Sequence, residues 1–343
     1  MAEPLLEVRD LSVAYRTDAG DVVAVDRVSF EMARGEFLAV VGESGCGKST
    51  LLYAITQLLS PPAEIAGGEV RFGGRNLVTL DGEELRRLRW RGYSIVMQSA
   101  MNALNPTLSV EAQFGDAMRA HGPAGDEEVR ARSEAVLKLV GIDPVHRRSY
   151  PHQLSGGMRQ RAMIAMALLF DPDLVVMDEP TSALDVVAQR SLMRQIKDLQ
   201  ERLGFAVLFV THDMSLVSHY SDRLLVMYAG QVAEIAPTRV CFDTPLHPYS
   251  QGLFGGFPSI HGPRLPLVGI PGSPPDLLTP PSGCRFHPRC AQVMAHCPVV
   301  SPDLITVGDT EVRCLLYAPN QGRPEGAAIA AARPAAAPVE VVT

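Results

Sequence analysis

The sequence has no apolar run long enough to cross a bilayer, which takes about 20 consecutive apolar residues. Ala162 to Phe170 is among the longest such runs and falls far short. The N-terminus opens with acid and proline and carries no apolar signal segment. These two absences predict a cytoplasmic polypeptide whose contact with any membrane comes through a partner that spans it. Surplus positive charge is missing too. The net charge is −7, so general electrostatic attraction to nucleic acid is not expected. The basic cluster Arg86, Arg87, Arg89 and Arg91 reads as the solvated face of a short helix, partly neutralised by Glu83 and Glu84. Cysteine is scarce, six in 343 residues, and no two form the close C-x2–4-C pair common in structural zinc sites. Large apolar side chains become rare after residue 318. Residues 319–343 are mostly Ala, Pro and Gly, bury too little to offset ordering entropy, and are expected to be disordered.

What the chain does have is two glycine-rich turns, each leading into a helix. The first is Gly42, Glu43, Ser44, Gly45, Cys46, Gly47, Lys48, Ser49 and Thr50, which fits the phosphate-loop pattern G-x-x-x-x-G-K-[ST]. The apolar run Phe37 to Val41 before it reads as a buried parallel strand, and Leu51 to Ile55 after it reads as a helix. Glycines let backbone wrap phosphates without Cβ clashes. In this pattern Lys48 pairs with the β/γ-phosphates and Ser49 ligates Mg2+. The second turn is Ser155, Gly156 and Gly157, inside Leu154 to Arg161. Ser155 suits a helix N-cap, and the two glycines expose backbone N–H groups that bind anions. The helix is expected over Met158 to Phe170, with Arg159 and Arg161 facing solvent. Two phosphate-binding turns in a chain with one hydrolysis set need a reason.

That set is completed by Leu174 to Glu179, an apolar strand ending in two acids. Ligands of open α/β sheets bind at the carboxyl ends of strands. Asp178 suits a place on Mg2+. Glu179 is placed to activate a water for attack on a γ-phosphate.

These motifs, in this order, make the chain resemble the ATP-binding subunits of ABC transporters. Tyr15 matches the family's aromatic that stacks on adenine, and Gln98 its Q-loop glutamine. Leu154 to Gln160 matches the signature motif, Ser182 to Asp185 the D-loop, and His212 the switch histidine. The resemblance implies a P-loop NTPase α/β fold of the ABC type, with an antiparallel β subdomain holding Tyr15 and a helical insertion over about residues 107–150. It implies ATP and Mg2+ as ligands, with Ser49, Gln98 and Asp178 positioning the metal, and His212 contacting the γ-phosphate. It also explains the second turn. Ser155 to Gly157 would hold the γ-phosphate of an ATP bound by a second ATPase subunit, so two chains close head-to-tail over two nucleotides.

A finer resemblance is to the peptide and nickel importer subgroup. It rests on Gln98 to Pro106, His247 to Ser250, Ile270 to Pro275 and Gly283 to Cys290. It implies an ATPase that powers import of di- or oligopeptides, with nickel as the alternative cargo. The partners implied are a different ATPase subunit, two transmembrane permease subunits and an extracytoplasmic binding protein. The chain would then lie on the cytoplasmic side of the cell membrane. A non-transport ABC ATPase is the competing class; those usually carry two ATPase domains or a long coiled-coil insertion, and neither is present.

In this division, residues 1–258 form the nucleotide-binding domain and 259–318 a C-terminal extension rich in proline and turns. The extension holds four of the six cysteines. Cys284, Cys290, Cys297 and Cys314 follow C-x5-C-x6-C-x16-C. A cytosolic setting argues against disulfides. Four thiolates suit a tetrahedral zinc or an iron–sulfur cluster, and unligated thiols remain a third reading. The resembled subgroup implies a [4Fe–4S] cluster, which would staple a segment too small for its own core. Cys46 and Cys241 read as structural thiols, with oxidation sensitivity a further expectation for Cys46.

Overall fold

The structure is a computed structural model that describes residues 3–98, 103–182, 184–255 and 269–318. The expected disordered tail, Ala183 of the D-loop, the boundary at residue 258 and part of the stretch after Gln98 lie outside these residues. The first half of the chain runs through β1 (Leu6–Thr17), β2 (Gly20–Met32), β3 (Phe37–Val41), α1 (Lys48–Ile55), β4 (Ala63–Phe72), β5 (Arg75–Asn76), α2 (Gly82–Leu88) and β6 (Tyr93–Val96). Two helices follow, α3 (Val110–Ala120) and α4 (Asp126–Leu139), in the region where an insertion was expected. Then come α5 (Gly156–Ala167), β7 (Leu174–Asp178), α6 (Val186–Leu203), β8 (Ala206–Val210), α7 (Met214–Tyr220), β9 (Arg223–Tyr228) and β10 (Gln231–Pro237). The described chain ends with α8 (Thr238–Asp243), α9 (Pro248–Gly255), β11 (Ile305–Val307) and β12 (Thr310–Val312). No helix among the described residues is long and apolar enough to cross a membrane.

The chain divides into two compact units. One is built from the segments up to Leu6, Met32–Phe37 and Arg71–Val210; the other from Glu7–Glu31, Leu38–Val70 and the chain from Thr211 onward.

In the first unit, β6, β7 and β8 pair in parallel, with Val96 opposite Met177 and Asp178 opposite Val210. Every residue of β7 and β8 is buried. Unbroken apolar runs of this kind are what a parallel strand covered on both faces requires. Helix α6 buries Leu192, Met193, Ile196, Leu199 and Gln200, a single stripe at helical spacing. Asp185 caps its start by accepting from Ala188 N at 2.9 Å, and Gly204 ends it in the left-handed region at φ +77°. Arg147 ties α3 to α4, donating to Glu111 at 3.0 Å and to Glu134 at 3.1 Å.

In the second unit, β1, β2 and β4 form an antiparallel subdomain, as expected around Tyr15. The buried backbone of β3 pairs in parallel with β9, Val41 lying opposite Val226. Strand β10 pairs with β9 on one side and β12 on the other, and β11 pairs with β12. The chain beyond residue 269 is therefore joined to this unit by backbone pairing as well as by side chains. Glu234 on β10 is fully buried, and burial raises its pKa. Its carboxylate accepts from Leu246 N at 2.8 Å and His247 N at 2.9 Å, which fixes the turn into α9. His247 Nδ1 then accepts from Tyr249 N at 2.9 Å. Burial holds this imidazole down to about 4, the neutral form that such an acceptor needs.

Candidate functional site

The glycine loop lies in the second unit, between β3 and α1. Gly42 and Gly47 occupy the left-handed region at φ +151° and +103°. A Cβ on Gly42 would stand 2.2 Å from the Met227 carbonyl oxygen, and one on Gly47 would stand 2.1 Å from that of Ala24. Only glycine fits either position, because backbone cannot give way as a side-chain tip can. Gly47 is the N-cap of α1 and offers no side chain to the first-turn N–H groups. A helix start left open in this way is an anion site. Lys48 is buried and turned onto the loop, with Nζ donating to Gly42 O at 2.8 Å and Glu43 O at 2.9 Å. Ser44 and Gly45 are exposed and Ser49 is half-buried. Half-buried Tyr15 shares a 3.0 Å hydrogen bond between its hydroxyl and that of Thr50. His212, exposed just before α7, belongs to the same unit.

Cys46 is buried, and burial raises its thiol pKa above the ordinary value. Since thiolate is the reactive form, the expected oxidation sensitivity of Cys46 is not supported. Cys241 is buried likewise, with its pKa raised well above the usual range, consistent with a structural thiol.

Residue Glu43 is held in a way the sequence motif does not announce. Its N–H donates to the Tyr249 hydroxyl at 2.9 Å. Its carboxylate receives two hydrogen bonds from Arg289, at 2.7 and 3.0 Å. Tyr249 is fully buried and packs with Tyr228 and Phe286 at ring separations of 4.6 and 5.5 Å. Tyr249 and Arg289 both lie in stretches singled out by resemblance, but no role was read for them. The available signal was an arginine between Pro288 and Cys290, too little to name a contact 246 residues away.

The first unit holds Gln98, Ser155 to Gly157, Asp178, Glu179 and Asp185. Asp178 is 1% exposed at the end of β7. Glu179 leaves the strand at φ +44°, with its N–H donating to Val210 O at 2.9 Å. That left-handed step turns its carboxylate to Gln98, whose Nε2 donates to Oε2 at 3.0 Å. Ser155 caps α5 as expected, accepting from Met158 N at 3.2 Å. A Cβ on Gly157 would meet nothing within 4 Å, so the turn opens outward. Arg159 departs from the solvent-facing expectation: it is half-buried and donates to Leu154 O at 2.9 Å, bracing the turn from behind.

The four C-terminal cysteines line one cleft, with His247, Phe286 and Met294 among its other walls. Burial is the main cause that raises the pKa of Cys284 to about 11 and of Cys314 to about 12, and the neighbouring thiols add to both shifts. Among the described residues, no three His, Cys, Asp or Glu side chains are grouped to hold a single metal ion. A tetrahedral zinc, with Zn–S bonds of about 2.3 Å, therefore does not fit this arrangement. A cluster carries its ligands on separate irons and tolerates a wider spread, and an all-thiol donor set is the one it uses.

Residues 25–182 match the ABC transporter family, and residues 233–297 match the C-terminal region of oligopeptide/dipeptide transporters. A dipeptide transport ATP-binding protein of Caldanaerobacter subterraneus subsp. tengcongensis is 40% identical over 323 residues, covering 93% of this chain and 98% of its own. Its Bacillus subtilis counterpart is 42% identical over 318 residues, covering 92% and 95%. A dimeric ATP-binding cassette, solved in a post-hydrolysis state with ADP and phosphate, superposes with a TM-score of 0.61 at 29% identity, over 68% of this chain and 98% of that one. With the glycine loop, the Asp178–Glu179 strand end and the Ser155 turn in place, the chain belongs to the ATPases of the ABC transporter family, with the C-terminal region of its oligopeptide/dipeptide branch.

Proposed function

We propose that this chain is the ATP-hydrolysing subunit of an importer for di- or oligopeptides. It would act on the cytoplasmic face of the membrane with a second ATPase subunit, two permease subunits and an extracytoplasmic binding protein. The observation that carries the hydrolytic part is the hold of Gln98 on Glu179, directly after the buried Asp178. The peptide cargo is supported by relatives named for dipeptide and oligopeptide transport.

The proposed division of labour follows the two groups of residues. Tyr15 stacks on adenine after giving up Thr50. The amides of Gly42 to Thr50 and the Lys48 ammonium take the phosphates. Ser49, Gln98 and Asp178 would hold Mg2+, which would supply charge neutralisation of the nucleotide when bound. Glu179 accepts the proton of the attacking water, and Gln98 orients its carboxylate. His212 contacts the γ-phosphate, and Ser155 to Gly157 and Asp185 complete the site of the opposing subunit. Hydrolysis removes the γ-phosphate contacts and lets the pair open, as in other nucleotide switches. Cys284, Cys290, Cys297 and Cys314 would carry a [4Fe–4S] cluster that staples the C-terminal segment.

The test is copurification of an affinity-tagged chain, then reconstitution of the complex in proteoliposomes with its binding protein. The expected result is ATP hydrolysis stimulated by peptide-loaded binding protein, with peptide accumulating inside. Stimulation by nickel alone would redirect the cargo, and recovery without permease subunits would remove the transport reading.

A further inference from the structure

Glu43, the second residue of the glycine loop, is gripped at three points. Lys48 Nζ holds its carbonyl at 2.9 Å, the Tyr249 hydroxyl holds its N–H at 2.9 Å, and Arg289 holds its carboxylate at 2.7 and 3.0 Å. When phosphates enter, Lys48 has to leave the loop carbonyls for them. The other two grips do not involve Lys48 and can persist.

Arg289 is well placed for a permanent role. Its side chain is only 6% exposed. Its Nε donates to Pro271 O at 2.8 Å, and its guanidinium lies over the Tyr228 ring, 5.8 Å from the centroid. A planar fork fixed on its back and stem presents two parallel N–H bonds to one carboxylate, a geometry lysine cannot copy. Arg289 sits on the short turn His287–Arg289, between Cys284 and Cys290 of the cysteine-lined cleft. The chain just before this turn is anchored by Arg285, which donates to Asp26 at 2.6 Å.

We propose that Arg289 is a positioning residue for ATP binding. By clamping Glu43 it keeps the glycine loop in its phosphate-ready shape, so nucleotide affinity depends on the C-terminal segment. The gain is preorganisation: a loop already ordered loses less freedom when the ligand arrives. The inference rests on the ATPase assignment, and the parent protein in the same assay checks that assignment separately.

The experiment uses the full chain in the assembled complex. Arg289→Gln, Arg289→Lys, Glu43→Gln and the double variant Glu43→Gln/Arg289→Gln are compared for ATP Kd, KM and kcat, with thermal unfolding alongside. The expected result is a rise of about ten-fold in Kd and KM for Arg289→Gln and for Glu43→Gln, with kcat within about two-fold. The double variant should be no worse than either single one, and Arg289→Lys should recover only part of the affinity. A purely structural role would lower the unfolding temperature and leave Kd and KM of the folded fraction unchanged. That result overturns the proposal, as does an additive double variant. Should Arg289→Gln fail to fold, an unchanged Kd in Arg289→Lys and Glu43→Gln overturns it equally.

Discussion

Gln98 donates to Glu179 across 3.0 Å, so the side chain that follows β6 orients the carboxylate that follows β7. A general base must hold its lone pair where the attacking water will stand, and a neutral amide donor fixes that direction without neutralising the charge. Glu179→Gln keeps the shape and loses the basicity. Turnover should fall on the order of 100- to 1,000-fold while ATP binding is retained, leaving a closed pair of subunits. Steady-state ATPase assays with nucleotide retention on a sizing column read both quantities. Hydrolysis at a near-normal rate would assign the base elsewhere.

Gly47 offers a sharper steric test. Its φ is +103°, and an added Cβ would lie 2.1 Å from the Ala24 carbonyl oxygen. Gly47→Ala should destabilise the chain by about 1–3 kcal/mol and abolish measurable ATP binding, because the loop and the start of α1 must both shift. Gly45→Ala is the control. Its φ is +80° but a Cβ there meets nothing within 4 Å, so only backbone strain is added and binding should weaken less. Equal losses in the two variants would dismiss the close approach as the cause.

The reason the loop could be read from sequence is that its chemistry is local. Three glycines, Lys48 and Ser49 act within a few residues of one another, and the apolar strand and helix flanking them carry their own periodic signals. Asp178 and Glu179 were legible for the same reason, at the end of an unbroken apolar run. Arg289 was not. Its partner is fixed by the pairing of β9, β10 and β12 and by a turn set by the buried Glu234, and none of these leaves a periodic trace. Arg159 was misread because an arginine on an amphipathic helix usually faces water, whereas here two backbone carbonyls of the preceding turn compete for it. The cysteine spacing suggested ligands, and the fold brings all four thiols to one cleft, a convergence that spacing alone does not give.

Arg147 tests what holds the two insertion helices together. It is 10% exposed and pairs with Glu111 on α3 and Glu134 on α4. Removing the cation takes the guanidinium from Glu111 and leaves Glu134 with only the exposed Arg130, so Arg147→Ala should cost about 3 kcal/mol. Arg130 pairs with the same Glu134 but is 61% exposed, and Arg130→Ala should cost about 0.5 kcal/mol or less. Urea denaturation midpoints rank the two directly. Similar costs would mean that the burial of Arg147 adds nothing to the worth of its ion pairs.

The cysteine cleft makes a compositional prediction. Anaerobically purified protein should contain iron and acid-labile sulfide, with an absorbance band at about 400 nm. Cys290→Ser and Cys314→Ser should each lose most of that iron. Stoichiometric zinc without sulfide would reject the cluster, and thiols that all titrate with no metal present would leave the cleft a plain hydrophobic seam.

His121 supplies the pH test. Its ring stands 5.5 Å from Trp90 and 5.1 Å from Phe170, and Arg91 lies over the Phe170 ring at 5.6 Å. Partial burial first, and then the charges of Arg86 and Arg91, push the imidazole below its usual pKa. In the unfolded chain it takes a proton near the ordinary value of about 6.5, and in the folded chain only at lower pH. As pH falls through that window the unfolded state binds more protons, so stability is lost; above it the group has no effect. The thermal midpoint of the parent should therefore fall more steeply from pH 7.5 to 5 than that of His121→Gln, whose side chain stays neutral throughout. The difference between the two curves isolates this residue from the carboxylates, which titrate in both proteins. A difference that stays flat, or that grows in favour of the parent as pH falls, would mean that the folded state accepts the proton at least as readily as the unfolded one and that burial and the charges of Arg86 and Arg91 do not disfavour it.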